Sequence, residues 1–158
     1  MSTPGFTVLI VEDEFDDADI VRAVLHQLAP QDAVRIVPDA PQALAYLHGE
    51  GPYGDREQFP MPTHILLDLN LPGMNGFGLL KSIRDNSAWR RMQVFVLSDS
   101  ANPQDMRQAY RLGASGFRCK PLDVVGLREE MATLRAYWVA TSSLPMPPPA
   151  SADPLHLD

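Results

Sequence analysis

Residues 6–14 of the chain read FTVLIVEDE, a short apolar run that stops abruptly at three acids. The run from Phe6 to Val11 is rich in β-branched residues, which is typical of a strand buried on both faces. Because Glu12, Asp13 and Glu14 follow directly, the carboxyl end of this strand is predicted to carry negative charge.

Runs of the same kind recur along the chain and alternate with helical patterns. In the helical patterns, apolar residues spaced three or four positions apart predict helices with one buried side. Repeated alternation of this kind predicts an α/β fold, a parallel sheet with right-handed crossovers and helices on both faces. The predicted strands cover residues 6–11, 33–37, 65–68, 94–97 and 115–119, and the last predicted helix includes Val124 to Trp138.

Composition bounds the organisation and the class of the protein. The 158 residues suffice for one domain, predicted at residues 6–141, between a short extension (1–5) and a proline-rich tail (142–158). A net charge of −7 argues against binding to nucleic-acid phosphates. No apolar run approaches the roughly 18–20 residues that span a bilayer. With Cys119 as its only cysteine and no secretory signal at its start, the chain is expected in the cytoplasm.

Polar side chains follow four of the predicted strands at the point where each strand ends. Glu12 and Asp13 follow the first strand, Asp68 ends the third, Ser98 follows the fourth and Lys120 follows the fifth. The carboxyl ends of parallel strands share one edge of the sheet, where ligands of such folds bind. We therefore expect these side chains to converge on one site.

The carboxylates among these residues would repel one another unless a cation lay between them. Mg²⁺ prefers carboxylate oxygens, carbonyl oxygens and water as ligands. Asp13 and Asp68 are predicted to be direct ligands, the backbone carbonyl of Asn70 a third, and Glu12 an acidic neighbour that acts through water. Taken singly, a Glu-Asp pair at a strand end is more often a solvated loop segment or a helix cap.

Asp68 can attack a phosphoryl group as a nucleophile and form an acyl phosphate. Because positioning and charge neutralisation dominate such a transfer, Lys120 is predicted to face the phosphoryl oxygens and Ser98 to donate a hydroxyl. Taken singly, Lys120 could be an ordinary surface lysine and Ser98 a helix cap, although Asn102 is the better cap candidate. Pro121 could take the cis isomer and so orient Lys120, or simply open the last helix.

Together these motifs resemble the receiver domains of two-component response regulators. The resemblance covers about residues 6–140. It implies a flavodoxin-like (βα)5 fold, a doubly wound parallel sheet with its strands in the order 2-1-3-4-5. The matching segments are Val11–Asp13, Leu66–Gly76, Val96–Ser98, Gly113–Phe117 and Lys120-Pro121.

The resemblance also implies a role for each residue of the predicted site. Asp68 is similar to the family's phospho-accepting aspartate, Asp13 to its metal-binding carboxylate and Glu12 to the acidic neighbour of that carboxylate. Ser98 corresponds to the hydroxyl that follows the phosphoryl group, and Lys120 to the lysine of the family pattern. Mg²⁺ is the implied cofactor.

The implied switch departs from the family pattern in three ways. Ser98 stands where threonine is commoner, which keeps the hydroxyl and removes a methyl group. Phe117, at the position of the aromatic switch residue, lacks the tyrosine hydroxyl, so coupling would depend on burial of its ring. Asp99 adds a negative charge next to Ser98.

A narrower resemblance concerns the small regulators paired with bacterial phytochromes. Its marks are the loop at residues 50–62, the turn Leu69–Gly73 and the ending Tyr137-Trp138…Leu144-Pro145. This resemblance implies a light-regulated sensor histidine kinase as the partner and a homodimer formed through the last helices. On the last predicted helix, Trp138 is the residue expected to reach a partner.

The predicted function is that of a phosphoacceptor switch in a phosphorelay, with Asp68 phosphorylated by a histidine kinase and output through protein–protein contacts. Beyond self-phosphorylation and self-dephosphorylation, no enzyme activity is expected. A haloacid-dehalogenase-like phosphatase also uses a strand-end aspartate with Mg²⁺, but it needs a second aspartate where this chain has Asn70. A flavodoxin-like nucleotide-binding domain would need a glycine-rich phosphate loop after the first strand, where only acids follow.

Overall fold

A computed structural model describes residues 5–71, 75–99 and 102–142. Three parts of the sequence discussed above lie outside the described residues. They are residues 1–4 of the predicted extension, the turn residues 72–74 and the proline-rich tail from residue 143. Strands and helices alternate throughout, as the sequence predicts. The elements are β1 (Thr7–Val11), α1 (Phe15–Leu28), β2 (Ala33–Val37), α2 (Ala40–His48), β3 (His64–Asp68), α3 (Gly76–Asp85), β4 (Gln93–Ser98), α4 (Pro103–Arg111), β5 (Gly116–Cys119) and α5 (Val124–Ser142).

The strands form one parallel sheet in the order β2-β1-β3-β4-β5. This order confirms the predicted flavodoxin-like fold. Ile10 of β1 pairs with Leu66 of β3, which in turn pairs with Phe95 of β4. Since every strand runs in the same direction, all five carboxyl ends meet at one edge of the sheet.

The two faces of the sheet pack on different helices because successive strand residues point to opposite sides. On β1, Val8 and Ile10 join one core cluster, and Leu9 and Val11 join the other. Helices α1 and α5 cover the first face, while α2 and α3 cover the second. All four of these β1 residues are buried, so the first strand is apolar on both sides, as its sequence predicts.

Local side chains fix where several helices begin and end. The Asn102 side chain accepts a hydrogen bond from the backbone N–H of Gln104 at 2.8 Å, which confirms Asn102 as the cap of α4. Asn75 caps α3 in the same way through the N–H of Gly78. Helix α2 ends at Gly49, whose φ of 70° lies in the left-handed region that glycine adopts without strain.

The long segment at residues 49–62 contains one short 3-10 turn, Gly51–Tyr53, and is otherwise without regular structure. Arg56 ties it to the core, because its guanidinium donates to the carbonyls of Tyr46 and Leu47 at 2.8 and 2.9 Å. These carbonyls belong to the last turn of α2, where helix geometry leaves carbonyls short of partners, and that of Tyr46 also accepts the N–H of Gly49 at 3.1 Å. The predicted surface loop is therefore anchored.

The expectation that Trp138 reaches a partner is wrong. Trp138 is only 1% exposed, and its ring lies against those of Phe6, His64 and Phe95. Its indole N–H lacks a hydrogen-bond partner within the described residues. Burial of so large an apolar surface outweighs the loss of that hydrogen bond. The next residue back, Tyr137, is the exposed aromatic of α5.

In the described part of the chain, α5 is the longest helix, with 19 residues. Neither it nor any other described helix combines the length and the apolar character needed to cross a membrane.

Candidate functional site

Three carboxylates meet at the carboxyl edge of the sheet. Oxygen atoms of Glu12, Asp13 and Asp68 lie within 4.8 Å of one another. Glu12 and Asp13 follow β1, and Asp68 is the last residue of the neighbouring strand β3. Glu12 and Asp68 are each only 6% exposed, whereas Asp13 faces solvent. We call these three residues the acidic cluster.

Lys120 supplies the positive charge that faces the acidic cluster. Its ammonium nitrogen lies 2.5 Å from Glu12 Oε1 and 3.1 Å from Asp68 Oδ2. A third carboxylate, that of Asp99, has its Oδ1 atom 3.9 Å from the same nitrogen. The backbone N–H of Lys120 donates to the carbonyl of Ser98 at 2.7 Å, which holds the end of β5 beside β4. The predicted convergence of Asp13, Asp68 and Lys120 is thus observed.

The described residues contain no cis peptide bond, so the bond that joins Lys120 to Pro121 is trans. The suggested cis isomer is therefore wrong. Trans is favoured before proline by roughly 0.5–1 kcal/mol, and Lys120 reaches both buried carboxylates without the cis geometry.

Burial and crowding of like charges shift the ionisation of the cluster. The pKa of Glu12 is raised to about 7, first by burial and then by the neighbouring Asp68 carboxyl, against the opposing effect of Lys120. Burial alone would lower the pKa of Lys120, but the hydrogen bond to Glu12 and the charge of Asp68 outweigh it and raise that pKa. One ammonium therefore does not compensate the buried carboxylates.

The donor set of the acidic cluster fits a divalent cation. Carboxylate oxygens are the ligands that Mg²⁺ and Mn²⁺ accept, and the excess of negative charge gives the cluster a reason to bind one. A bound cation would also lower the cost of keeping Glu12 and Asp68 ionised side by side. The exposed position of Asp13 leaves the cluster open to solvent for entry of the ion.

Asp68 is held from a second side by the backbone of the segment that follows β3. The N–H of Asn70 donates to Asp68 Oδ1 at 2.9 Å. Gly76 lies against the same segment, since a Cβ atom there would lie 2.7 Å from the carbonyl oxygen of Asp68 and from the Cα atom of Leu69. Only glycine fits at that position, which explains its place in the motif that ends at residue 76.

Ser98 ends β4, the strand next to β3. Its predecessor Leu97 pairs with Asp68 in the register of the sheet, so Ser98 lies one residue beyond the aspartate along the strand direction. Ser98 is 2% exposed. Its position beside the strand that carries Asp68 is compatible with the predicted hydroxyl role, which stays a prediction.

Phe117 of β5 is 8% exposed and packs in a small apolar cluster with Leu69, Val96 and Ala109. Its backbone N–H, which faces away from β4, donates to the hydroxyl of Tyr110 at 3.1 Å. Helix α4 is thereby tied to the strand that carries the predicted switch residue. Sequence reasoning gave Tyr110 no role, because no pattern in the sequence marks this half-exposed residue of α4 for such a contact.

A cavity of about 410 Å³ opens beside the acidic cluster, between α1 and the start of α5. Its lining combines Glu12, Asp68 and Lys120 with buried apolar residues of β1, β3 and β4. Leu122 and Val124, at the start of α5, are exposed at its rim. A reactive carboxylate therefore lies at the bottom of an accessible, partly apolar recess.

Residues 8–132 match the protein-family model described as the response regulator receiver domain. The chain belongs to this family. Receivers are phosphorylated on an aspartate in two-component phosphorelays, so the site is that of a phosphoacceptor switch rather than of a conventional enzyme.

Two comparisons place this receiver near regulators associated with phytochromes. Response regulator Rcp1 of Synechocystis is 33% identical over 144 residues, covering 91% of this chain and 96% of the relative. The structure of the phosphorylated cyanobacterial phytochrome response regulator RcpA is 30% identical, with a TM-score of 0.80, and covers 89% of this chain and 99% of that one.

Two further solved structures bear on the metal site and the signal. The Mn²⁺-bound form of Rcp1 is 30% identical to this receiver with a TM-score of 0.76, and covers 90% of this chain and 99% of that one. A response regulator in red light signalling of R. palustris is 31% identical with a TM-score of 0.80. The match covers 89% of this chain and 99% of that one. A relative thus holds a divalent cation, as the acidic cluster of this receiver can.

Sequence reasoning missed one contact inside the site. Glu12 was expected to act only through water, whereas it also forms the shorter of the two ion pairs of Lys120 with buried carboxylates. The residues are 108 positions apart, and no local pattern links them.

Proposed function

We propose that Asp68 accepts a phosphoryl group from a sensor histidine kinase, with Mg²⁺ held by Asp13, Asp68 and the backbone carbonyl of Asn70. The observation that carries this proposal is the position of Asp68, a nearly buried carboxylate between the ammonium of Lys120 and the N–H of Asn70, at 3.1 and 2.9 Å. Glu12 contributes as an acidic neighbour, through water on the metal side and through its ion pair with Lys120.

The chain's own residues position the transfer. The Asp68 carboxylate attacks the phosphorus, and the Lys120 ammonium moves from two carboxylates to the oxygens of the incoming phosphoryl group. Ser98 then donates its hydroxyl to a phosphoryl oxygen, and Phe117 shifts in its apolar cluster. Mg²⁺ supplies charge neutralisation on the remaining oxygens. The activity is limited to self-phosphorylation and self-dephosphorylation, because Asn70 cannot act as the general acid that a phosphatase needs.

A bacterial phytochrome is the proposed kinase. The resemblance to Rcp1 and RcpA supports this partner, since the latter is described as a phytochrome response regulator. We propose that the receiver domain spans residues 6–141 and acts in the cytoplasm through protein–protein contacts, including a homodimer through its C-terminal helices, without binding nucleic acid or membranes. The negative charge of the chain supports the last point.

Phosphorylation of the full chain by phosphoramidate and Mg²⁺ tests the proposed acceptor. Intact-mass measurement should show addition of one phosphoryl group, and peptide analysis should locate it on Asp68. Asp68→Asn should abolish the label, because an amide cannot form the acyl phosphate. Asp16→Asn, an exposed acid outside the cluster, is the matched control and should label like wild type. A label that persists in Asp68→Asn would exclude Asp68 as the acceptor.

A further inference from the structure

Asp99 has an unusual position for an exposed acid. It directly follows Ser98 at the carboxyl edge of the sheet, and its side chain is 72% exposed. Nevertheless its Oδ1 atom lies 3.9 Å from the ammonium of Lys120, the group that also contacts Asp68. Asp99 and Asp68 line the same cavity. Any molecule that reaches Asp68 through this cavity therefore passes the Asp99 carboxylate.

The charge around the cavity is mostly negative. Asp17 and Asp123, both exposed, line it together with Asp99. Among the described residues that line the cavity, Lys120 is the only basic one. Its charge is already shared between Glu12 at 2.5 Å and Asp68 at 3.1 Å. The mouth of the cavity thus presents an uncompensated negative potential to an approaching phosphodonor.

We infer that Asp99 selects the phosphodonor of Asp68, disfavouring acyl phosphates and favouring donors whose leaving group departs uncharged, such as phosphohistidine. This inference rests on the proposed function of Asp68. Asp68 is nearly buried and Asp99 is exposed, so for a donor that approaches through this cavity the leaving group of an in-line transfer points outward, on the side of Asp99. The charge that develops on the leaving group therefore decides whether Asp99 helps or hinders.

The two donor classes differ in that charge. With phosphoimidazole, an O–P bond forms at Asp68 while the P–N bond breaks, and the electron pair stays on a ring whose other nitrogen is protonated, so neutral imidazole leaves. With acetyl phosphate, the same O–P bond forms while the P–O bond to the acetyl group breaks, and acetate leaves as an anion. A fixed carboxylate beside the leaving group disfavours the second reaction more than the first.

The ratio of two initial rates on one preparation tests the inference. Full-length protein with Mg²⁺ is phosphorylated by acetyl phosphate or by phosphoimidazole at low ionic strength, and Asp68 phosphate is measured by mass. Asp99→Asn should raise the ratio of the rate with acetyl phosphate to the rate with phosphoimidazole roughly fivefold. Asp99→Glu should keep the wild-type ratio. Added salt of about 0.5 M should shrink the difference between wild type and Asp99→Asn, since it screens exposed charges.

Asp17→Asn is the matched control. It removes an exposed charge from the same cavity, at a described residue that forms no ion pair with Lys120. It should change the ratio much less than Asp99→Asn does. An unchanged ratio in Asp99→Asn, or an equal change in Asp17→Asn, overturns the inference while Asp68 phosphorylation itself stands. Absence of label with both donors overturns the proposed function and the inference together.

Discussion

The two ends of the sheet hold buried charges in opposite ways. At the carboxyl end, the Lys120 ammonium pairs with two of the three carboxylates of the acidic cluster, those of Glu12 and Asp68. At the amino end, the Asp32 carboxylate receives two hydrogen bonds from the guanidinium of Arg135, at 2.6 and 2.8 Å. The rings of Phe6, His64 and Trp138 pack around that pair, with His64 stacked on Trp138 at 4.3 Å. We call these five residues the amino-end cluster.

The amino-end cluster stabilises the fold, whereas the acidic cluster is the part of the molecule that can function. Asp32 and Arg135 balance each other in charge, and Asp32 also accepts the backbone N–H of Phe6, so this end is complete within the folded chain. In the acidic cluster, burial and then the neighbouring Asp68 carboxyl raise the pKa of Glu12 to about 7, and an excess of negative charge remains. Cation binding and phosphorylation can act on the acidic cluster because it is not compensated internally. The following predictions test that contrast.

The largest effect on stability is expected from Arg135→Met. The Asp32 side chain is fully buried, so loss of its guanidinium partner leaves a buried charge without a cation. Breaking a buried pair from one side costs about 3–5 kcal/mol. Urea denaturation should show a loss of this size, whereas Mg²⁺ should still stabilise the variant at the opposite end of the sheet.

Two further variants separate the charge of Arg135 from its packing. Arg128→Met, on the same helix but exposed and hydrogen-bonded to Gln27, should cost less than about 1 kcal/mol. The double variant Asp32→Asn with Arg135→Met should recover part of the loss, since it leaves no buried charge. A double variant as unstable as Arg135→Met would mean that packing, not charge, explains the effect.

Mg²⁺ should stabilise the wild-type chain by acting on the acidic cluster. At a Mg²⁺ concentration one hundred times the dissociation constant, the gain is about 2.7 kcal/mol, which corresponds to a rise in melting temperature of roughly 5–10 °C. Asp13→Asn should lose most of that rise, because it removes a carboxylate from the cluster. Thermal melts with and without MgCl₂ measure both quantities.

Asp16→Asn provides the matched control for the Mg²⁺ experiment. Asp16 lies in the first turn of α1, is exposed and does not belong to the acidic cluster. Its substitution removes the same charge from the same segment, so the response to Mg²⁺ should stay that of wild type. An equal loss of response in both variants would indicate a general charge effect instead of coordination by Asp13.

The contrast between the two ends also explains what the sequence could predict. The apolar runs set the strands, and four of the five end in or are followed by a polar residue, so parallel topology alone brings Asp13, Asp68 and Lys120 together. The geometry at the amino end depends on Asp32 and Arg135, which are 103 positions apart and carry no pattern of their own. The same lack of signal led to the wrong expectation for Trp138, which covers this end of the core.

Details inside the site were unpredictable for a related reason. Two contacts depend on side-chain conformations in three dimensions. Glu12 pairs with Lys120, and Tyr110 contacts the backbone of Phe117. Tyr110 of α4 is half-exposed, and its hydroxyl meets the N–H of Phe117 because β5 lies at the edge of the sheet. Periodicity assigns faces and not such contacts.

The smallest effect concerns the pH dependence of the amino-end cluster. Burial lowers the pKa of His64 from 6.5 to about 4, while Asp32 and Arg135 act on it in opposite senses. Because the folded pKa lies below the unfolded one, the unfolded chain binds a proton first as pH falls, and stability present above pH 6.5 is lost progressively toward pH 4. From pH 7 to pH 5 the loss attributable to His64 is about 2 kcal/mol.

His64→Phe should remove this part of the pH dependence while keeping an aromatic ring against Trp138. Urea denaturation of wild type and variant at pH 7 and pH 5 gives the difference directly. His26→Phe, at an exposed position of α1, is the control and should retain the wild-type pH dependence. If the free energy of unfolding fell equally in wild type and His64→Phe between pH 7 and pH 5, the His64 ring would already be accessible to protons in the folded chain. The amino-end cluster would then be less closed than its burial indicates, and the contrast with the open acidic cluster would weaken.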